Sequence, residues 1–239
     1  MPKINYGIDA PNVVRNLCVI GAVFLLLVIF LPDFNIPETI NAVKSTLFFP
    51  GIFMLLTGLF MLYYSRVGKF RQRERILHRH QWQGAETVLD IGAGLGLLMI
   101  GAAKKLTIGK AYGIDIFNST DLSGNTIEQI KQNIQMENVS EKTIIVNKNI
   151  LDNGFGDAMF DVIVSNLCLH NIHGKEKREQ ACREIFRILK PGGTAIISDF
   201  THLSEYTKTF KALGMRVQNN GTSYFDTFPP LTIITAQKN

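Results

Sequence analysis

Asp90 stands at the end of the short apolar run Thr87–Leu89, and three glycines follow it at alternate positions, Gly92, Gly94 and Gly96. An apolar stretch, Leu97–Ile100, then resumes. This is the pattern of a strand, a tight turn and a helix N-terminus. Glycine suits such a turn because its backbone reaches angles closed to other residues and because a ligand can then touch the main chain. A second acid, Asp115, ends the next apolar run, Ala111–Ile114. It is placed to accept hydrogen bonds from two vicinal ribose hydroxyls. The spacing excludes a dinucleotide fingerprint, which needs glycine at 97, where the chain has Leu97. It also excludes a Walker-type phosphate loop, since no G-x-x-x-x-G-K-[ST] occurs.

Polar residues gather after a third run, Phe160–Ser165: Asn166, His170, Asn171 and His173. His170 is the candidate general base or acceptor-orienting group, because histidine titrates near neutral pH; a purely structural histidine is the competing reading. Cys168, between them, reads as a core thiol. The three cysteines, Cys18, Cys168 and Cys182, form no C-x-x-C and no cluster with histidine. No metal site and no disulfide framework is expected, and a reducing compartment suits them.

These residues need a scaffold. Strands are expected at Thr87–Asp90, Ala111–Asp115, Lys142–Val146, Phe160–Ser165 and Thr194–Ser198, with two more in the tail at about Met215–Gln218 and Leu231–Ala236. Helices are expected from the glycine turn to about Lys105, over Thr126–Asn138, Lys175–Leu189 and His202–Leu213. Strands alternating with helices predict an α/β fold, a parallel sheet with helices on both faces and ligands beyond the C-terminal strand ends.

With Thr87–Gly96, Asp115, Phe160–His170 and Leu189-Lys190-Pro191-Gly192-Gly193 in this order, the chain from about Gly84 onward resembles the class I S-adenosylmethionine-dependent methyltransferases, in their small-molecule branch. The resemblance implies a Rossmann-like seven-stranded methyltransferase sheet with its last strand antiparallel. It also implies S-adenosyl-L-methionine as cofactor, held by Asp90, Gly92, Ala93, Gly94, Gly96, Asp115, Ile116, Asn149, Ile150 and Asn166, with Asp90 orienting the loop or binding the cofactor ammonium. Two departures stand out. Asn149, with Asp152 as substitute, occupies the place near the adenine where the family commonly has an acid. The link Phe117–Asn125 is longer than usual, and Asp121, Ser123 or Asn125 is expected to cap the following helix or to form a lip over the site.

The first 64 residues differ in kind. Residues 13–31 and 47–64 are almost wholly apolar, each long enough to span a bilayer, with the polar segment Pro32–Thr46 between them and Pro32 and Pro37 as helix stops. A signal peptide is disfavoured because no small-residue cleavage site follows, and buried core helices because both runs are apolar all round. The expected organisation is a two-helix membrane anchor over 1–64, a basic juxtamembrane helix over 65–83 and a methyltransferase domain over 84–239. Residues 65–80 carry Arg66, Lys69, Arg71, Arg73, Arg75 and Arg79 against Glu74 alone. By the positive-inside rule the N-terminus and the globular domain face the cytoplasm, with anionic headgroups as the partner near Arg66–Arg79 and no nucleic acid expected. The expected function is methyl transfer to a small or lipid-like acceptor; the alternative is a non-catalytic S-adenosylmethionine-binding sensor or scaffold in the membrane.

Overall fold

The computed structural model describes residues 4–31, 37–118 and 120–239, with the backbone alone at 37–40. The helices are α1 (Pro11–Phe30), α2 (Pro37–Tyr63), α3 (Lys69–Leu77), α4 (Leu97–Ala103), α5 (Ile127–Met136), α6 (Lys175–Ile188) and α7 (Leu203–Ala212). The strands are β1 (Thr87–Ile91), β2 (Lys110–Asp115), β3 (Thr143–Asn147), β4 (Phe160–Asn166), β5 (Leu189–Asp199), β6 (Arg216–Ser223) and β7 (Leu231–Gln237).

The strands form one seven-stranded sheet in the order β3-β2-β1-β4-β5-β7-β6. β7 runs antiparallel to both neighbours and the remaining pairs are parallel. Alternate residues along each strand serve opposite faces, as the pleat requires. Val88, Val162, Val164, Ile196 and Ile233 pack with α3, α4 and α5. Leu89, Ile163, Ile197 and Ile234 pack with α6 and α7. Both faces are therefore covered, and ligands are left the rim at the C-terminal ends of β1–β5.

β5 begins earlier than the sequence pattern predicts. Leu189 pairs with Phe160, and the Pro191-Gly192-Gly193 turn is absorbed as an irregularity before Thr194 meets Val162. Gly192, at φ 80°, supplies the left-handed angle the bulge needs. α3 ends at Leu77, short of the end of the helix expected over 65–83, and the Trp82 indole N–H donates to the Leu77 carbonyl at 2.8 Å, satisfying an orphan acceptor of the last turn.

α1 and α2 are long and apolar enough to cross a membrane. They pack on each other through small residues: a Cβ added at Gly21 would stand 2.7 Å from the Leu55 nitrogen, and one at Gly58 would stand 2.6 Å from Cys18 Sγ. Their outer faces leave Val23, Leu27, Ile29, Phe30, Phe49, Phe53 and Leu56 exposed. Residues 32–36 of the expected polar link lie outside the described residues, but Pro37 does not stop a helix: it opens α2. Proline fits a first helical position because its missing N–H would have had no partner there.

α2 continues through a π-helical turn, Tyr64–Gly68, into α3. This junction lies on the globular domain, because Gln72 on α3 donates to Ser198 Oγ of β5 at 3.0 Å. The segment before α1 folds back as well. Asn5 exchanges hydrogen bonds with the Asn133 side chain, the Tyr6 hydroxyl donates to Glu137, and Asp9 forms an antiparallel bridge with Leu122. Lys69, 3% exposed, fastens this strap by donating to the Tyr6 and Gly7 carbonyls at 2.6 Å each and lying 3.4 Å from Asp9 Oδ2.

Candidate functional site

The glycine turn leaves β1 at Ile91 and enters α4 at Leu97. Gly92 and Ala93 donate to the Ile114 carbonyl at 2.9 and 3.2 Å, which holds the turn against β2. Gly92, at φ 74°, has no room for a side chain: a Cβ would lie 2.4 Å from Cys168 Sγ. Gly96 caps α4 at φ 88°. Both are backbone positions that only glycine holds without strain.

Asp90 is fully buried beneath this turn. Its Oδ2 accepts the Met99 amide at 2.8 Å, while its Oδ1 is buried without a partner. Burial, reinforced by the nearby Asp115 charge and opposed by the Met99 bond, pushes its carboxyl up to about 8. An acid in that condition is matched to a cationic ligand group, which would satisfy the orphan oxygen and restore the charge.

Asp115, at the end of β2, accepts the Gly94 amide on Oδ2 at 2.8 Å and the Phe117 amide on Oδ1 at 2.5 Å. It therefore ties the glycine turn to the following loop as well as facing the cavity. That cavity measures about 170 Å³ and is lined by Gly92, Gly94, Asp115, Ile116, Asn149 and Ile150 among others. Ile116 exposes a large apolar side chain there, suited to the flat face of a base. Asn149 accepts the Leu151 amide on its own Oδ1 at 2.9 Å, which turns the chain after β3; Asp152 is not among the lining residues.

A smaller adjoining cavity of about 70 Å³ is lined by Asp90, Gly92, Ala93, Gly94 and Asn166, together with Tyr6, Asp9 and Lys69. Gly92, Gly94, Asn166, Asp9 and Leu122 border both cavities. The two adjoin, with Asp115 lining the larger cavity and Asp90 the smaller. Asn166, the last residue of β4, has its Oδ1 buried without a partner beside the junction, and its Nδ2 donates to the Tyr64 hydroxyl at 3.4 Å.

His170 sits apart from these residues. It lines neither cavity. Its Nδ1 lies 2.8 Å from Asp199 Oδ1, its backbone N–H donates to Asp199 Oδ2 at 3.2 Å, and its ring meets Phe200 edge-on at 4.7 Å between centroids. Asn171 does border the larger cavity. Burial and surrounding acids raise the Cys168 thiol well above its ordinary range, so it stays protonated and packs against Gly92.

The capping expectation for residues 117–125 is corrected. Thr126 caps α5 by accepting the Gln129 amide at 3.2 Å. Ser123 Oγ accepts the Ile8 amide at 2.7 Å, the Asp121 carbonyl accepts the Ala10 amide at 2.9 Å, and Asn125 Nδ2 approaches Asp115 Oδ1 at 3.4 Å. Leu122, Asp121 and Asn118 border the larger cavity. Ser119 of this loop lies outside the described residues. Asp9, Tyr6 and Lys69 escaped sequence reasoning because they belong to the segments flanking the apolar hairpin, far along the chain from the glycine turn.

The basic stretch after α2 divides. Lys69 serves the strap, Arg75 grips Asp226 with two hydrogen bonds of 2.8 and 2.5 Å, and Arg73 pairs with Glu74. Arg66, Arg71 and Arg79 remain exposed.

Residues 89–197 match the profile of a family described as methyltransferase domain. The fold places the chain alongside solved methyltransferases. A 1,6-didemethyltoxoflavin-N1-methyltransferase of Burkholderia thailandensis, with bound 1,6-didemethyltoxoflavin and S-adenosylhomocysteine, superposes with a TM-score of 0.59 at 19% identity, covering 74% of this chain and 81% of that one. The fold is that of a methyltransferase domain. The YcgJ protein of Bacillus subtilis gives the same TM-score at 15% identity, over 71% of this chain and 98% of its own. In sequence, the domain is 31% identical over 114 residues to a polyketide synthase-nonribosomal peptide synthetase of Aspergillus flavipes, 46% of this chain and 3% of that protein. The chain thus spans a small fraction of the curated relative's length.

Proposed function

We propose that the chain is a membrane-anchored methyltransferase that moves the methyl group of S-adenosylmethionine to a small or lipid-like acceptor. The observation that carries the cofactor assignment is the pair of carboxylates lining two adjoining cavities, Asp115 the larger and Asp90 the smaller, with one oxygen of Asp90 buried without a partner. When bound, the cofactor supplies a methyl group already activated by a positively charged sulfur. Asp115 accepts the ribose hydroxyls, Ile116, Asn149 and Ile150 surround the base, and Asp90 with the amides of the glycine turn holds the amino-acid end.

Alignment is the main task left to the protein, because the transferred carbon needs no further activation. Asn166 stands at the junction of the two cavities, with its orphan oxygen available to orient the reacting groups. His170, set against Asp199, is the candidate to take a proton from acceptors that must lose one. It acts on the acceptor side rather than on the cofactor.

The membrane assignment rests on physical cost. The outer faces of α1 and α2 expose large apolar side chains, among them Ile29, Phe30, Phe49 and Phe53, which a bilayer would cover. Arg66 and Arg71 beyond α2 favour a cytoplasmic domain beside anionic headgroups. The junction with α2 reaches Asn166 through Tyr64, so an acceptor drawn from the bilayer has a short path to the site.

Incubating the full chain in nanodiscs with methyl-labelled S-adenosylmethionine, and separately with a membrane extract and a soluble extract, tests the reading. Label is expected in an extractable membrane component. Binding of cofactor with no labelled product in either extract would replace the enzyme by a cofactor-binding membrane sensor.

A further inference from the structure

The β6–β7 loop, residues 224–230, exposes two adjacent aromatic side chains, Tyr224 at 61% and Phe225 at 93%. Such exposure of apolar rings is costly in water. The loop is not adrift, however. Asp226 next door is held by Arg75 through two hydrogen bonds and lies 3.7 Å from Arg71. Its carbonyl oxygen packs so closely on the π-helical turn that a Cβ at Gly68 would stand 1.9 Å from it. The Phe228 ring meets Phe60, in the last turn of α2, edge-on at 5.7 Å. The loop is therefore built onto the end of α2, and its two bare rings are presented by a rigid base.

Topology fixes which side of the domain this is. β6 runs antiparallel to β7, and β7 antiparallel to β5, so β6 points the same way as β5. Its C-terminal end, where the loop begins, lies at the rim that carries Asn166 and His170.

We propose that residues 224–230 form a second membrane contact, with Tyr224 and Phe225 entering the headgroup–acyl boundary beside α2 and the exposed Arg71 facing anionic headgroups. The proposal rests on the anchor reading, since the last turn of α2 is what places the loop at the bilayer surface. Aromatic rings are the residues that favour this boundary, having an apolar body and, in tyrosine, a polar tip. A lipid surface is the occupant the geometry favours over a protein partner, because the loop that carries the rings packs through Phe228 on Phe60, in the last turn of a helix long and apolar enough to span a bilayer, with the exposed Arg71 beside Asp226. The consequence is that the bilayer lies across the rim on the β4–β5 side, next to Asn166 and His170, where the acceptor must enter.

Tryptophan scanning by lipid-borne quenchers tests this in the full chain. Trp82 is the chain's single tryptophan, and five residues beyond the end of α3 it serves as an internal reference. The variants F225W, Y224W, F53W and I108W are reconstituted into vesicles of phosphatidylcholine and phosphatidylglycerol, with and without chains brominated near the headgroup. Ile108 is as bare as the loop, 81% exposed, but lies between α4 and β2 at the opposite rim. F225W and Y224W are expected to lose emission to the brominated lipid as F53W does, with I108W keeping the wild-type ratio. If F53W is quenched and both loop variants behave like I108W, the loop contact is overturned and the anchor stands. If F53W itself is unquenched, the anchor reading falls and the loop contact with it. Equal quenching at 108 and 225 would also overturn the proposal, as general adsorption.

Discussion

Tyr64, the residue after the last turn of α2, accepts a hydrogen bond on its hydroxyl from Asn166 Nδ2, at the end of β4, over 3.4 Å. One bond thus joins the end of an apolar helix long enough to cross a bilayer to a residue that borders both cavities. Helix and site are not separate modules connected by a linker; the first turn beyond the helix forms part of the wall behind the site.

Asp115 is expected to dominate cofactor affinity. Asp115→Ala removes the acceptor for ribose hydroxyls and also the anchor of the Gly94 and Phe117 amides. The loss is about 2–3 kcal/mol, on the order of a hundredfold in Kd by calorimetry. Asp115→Asn, which keeps one acceptor oxygen, loses less. Unchanged affinity in both variants removes the ribose role.

Cofactor binding is expected to release a proton. With its carboxyl raised from 3.8 to about 8, Asp90 is mostly protonated in the ligand-free chain at pH 7. A cationic ammonium draws it into the ionised form, so about one proton leaves per cofactor bound at pH 7, falling toward none above the raised value. Calorimetry in two buffers of different ionisation heat measures this, and Asp90→Asn should abolish it. The same shift has a sign for stability. The folded chain holds a proton that the unfolded chain gives up above 3.8, so Asp90's contribution to stability declines as pH rises from about 4 to about 8 and is level beyond.

Gly92→Ala tests the turn itself. The added methyl carbon meets Cys168 Sγ at 2.4 Å and sits on a φ of 74°. Together these cost about 2–4 kcal/mol in chemical denaturation. Adding Cys168→Gly relieves the collision and leaves the backbone strain, so the double variant should recover part of the loss. Full recovery would mean that the angle is no constraint.

The strands and the residues of the glycine turn were legible because each depends on local pattern: short apolar runs at β1, β2, β4 and β5, and an acid at a strand end; the antiparallel last strand came only with the family resemblance. The early start of β5 was not, because Lys190-Pro191-Gly192-Gly193 carries every local mark of a turn and only pairing with β4 draws Leu189 into the ladder. The helical run from Pro37 was hidden for a related reason. Proline reads as a stop, yet it is equally a first helical residue. Asp9, Lys69 and the 117–125 loop come together through tertiary packing, with sequence separations that no window spans. Residue type and place after β4 mark His170, but where its ring lies depends on packing: it sits beside Asp199, at the end of the next strand, and lines neither cavity.

The strap before α1 changes what the hairpin is mechanically. Chain entering α1 is pinned through Asn5, Tyr6 and Asp9, and chain leaving α2 is pinned through Tyr64, Gln72 and Arg75. Lys69 ties the two feet to each other. A domain on a single flexible tether samples many heights and tilts above a surface. On the proposed anchor, a domain held at both feet of its hairpin is a bracket, with one height and one tilt above the bilayer.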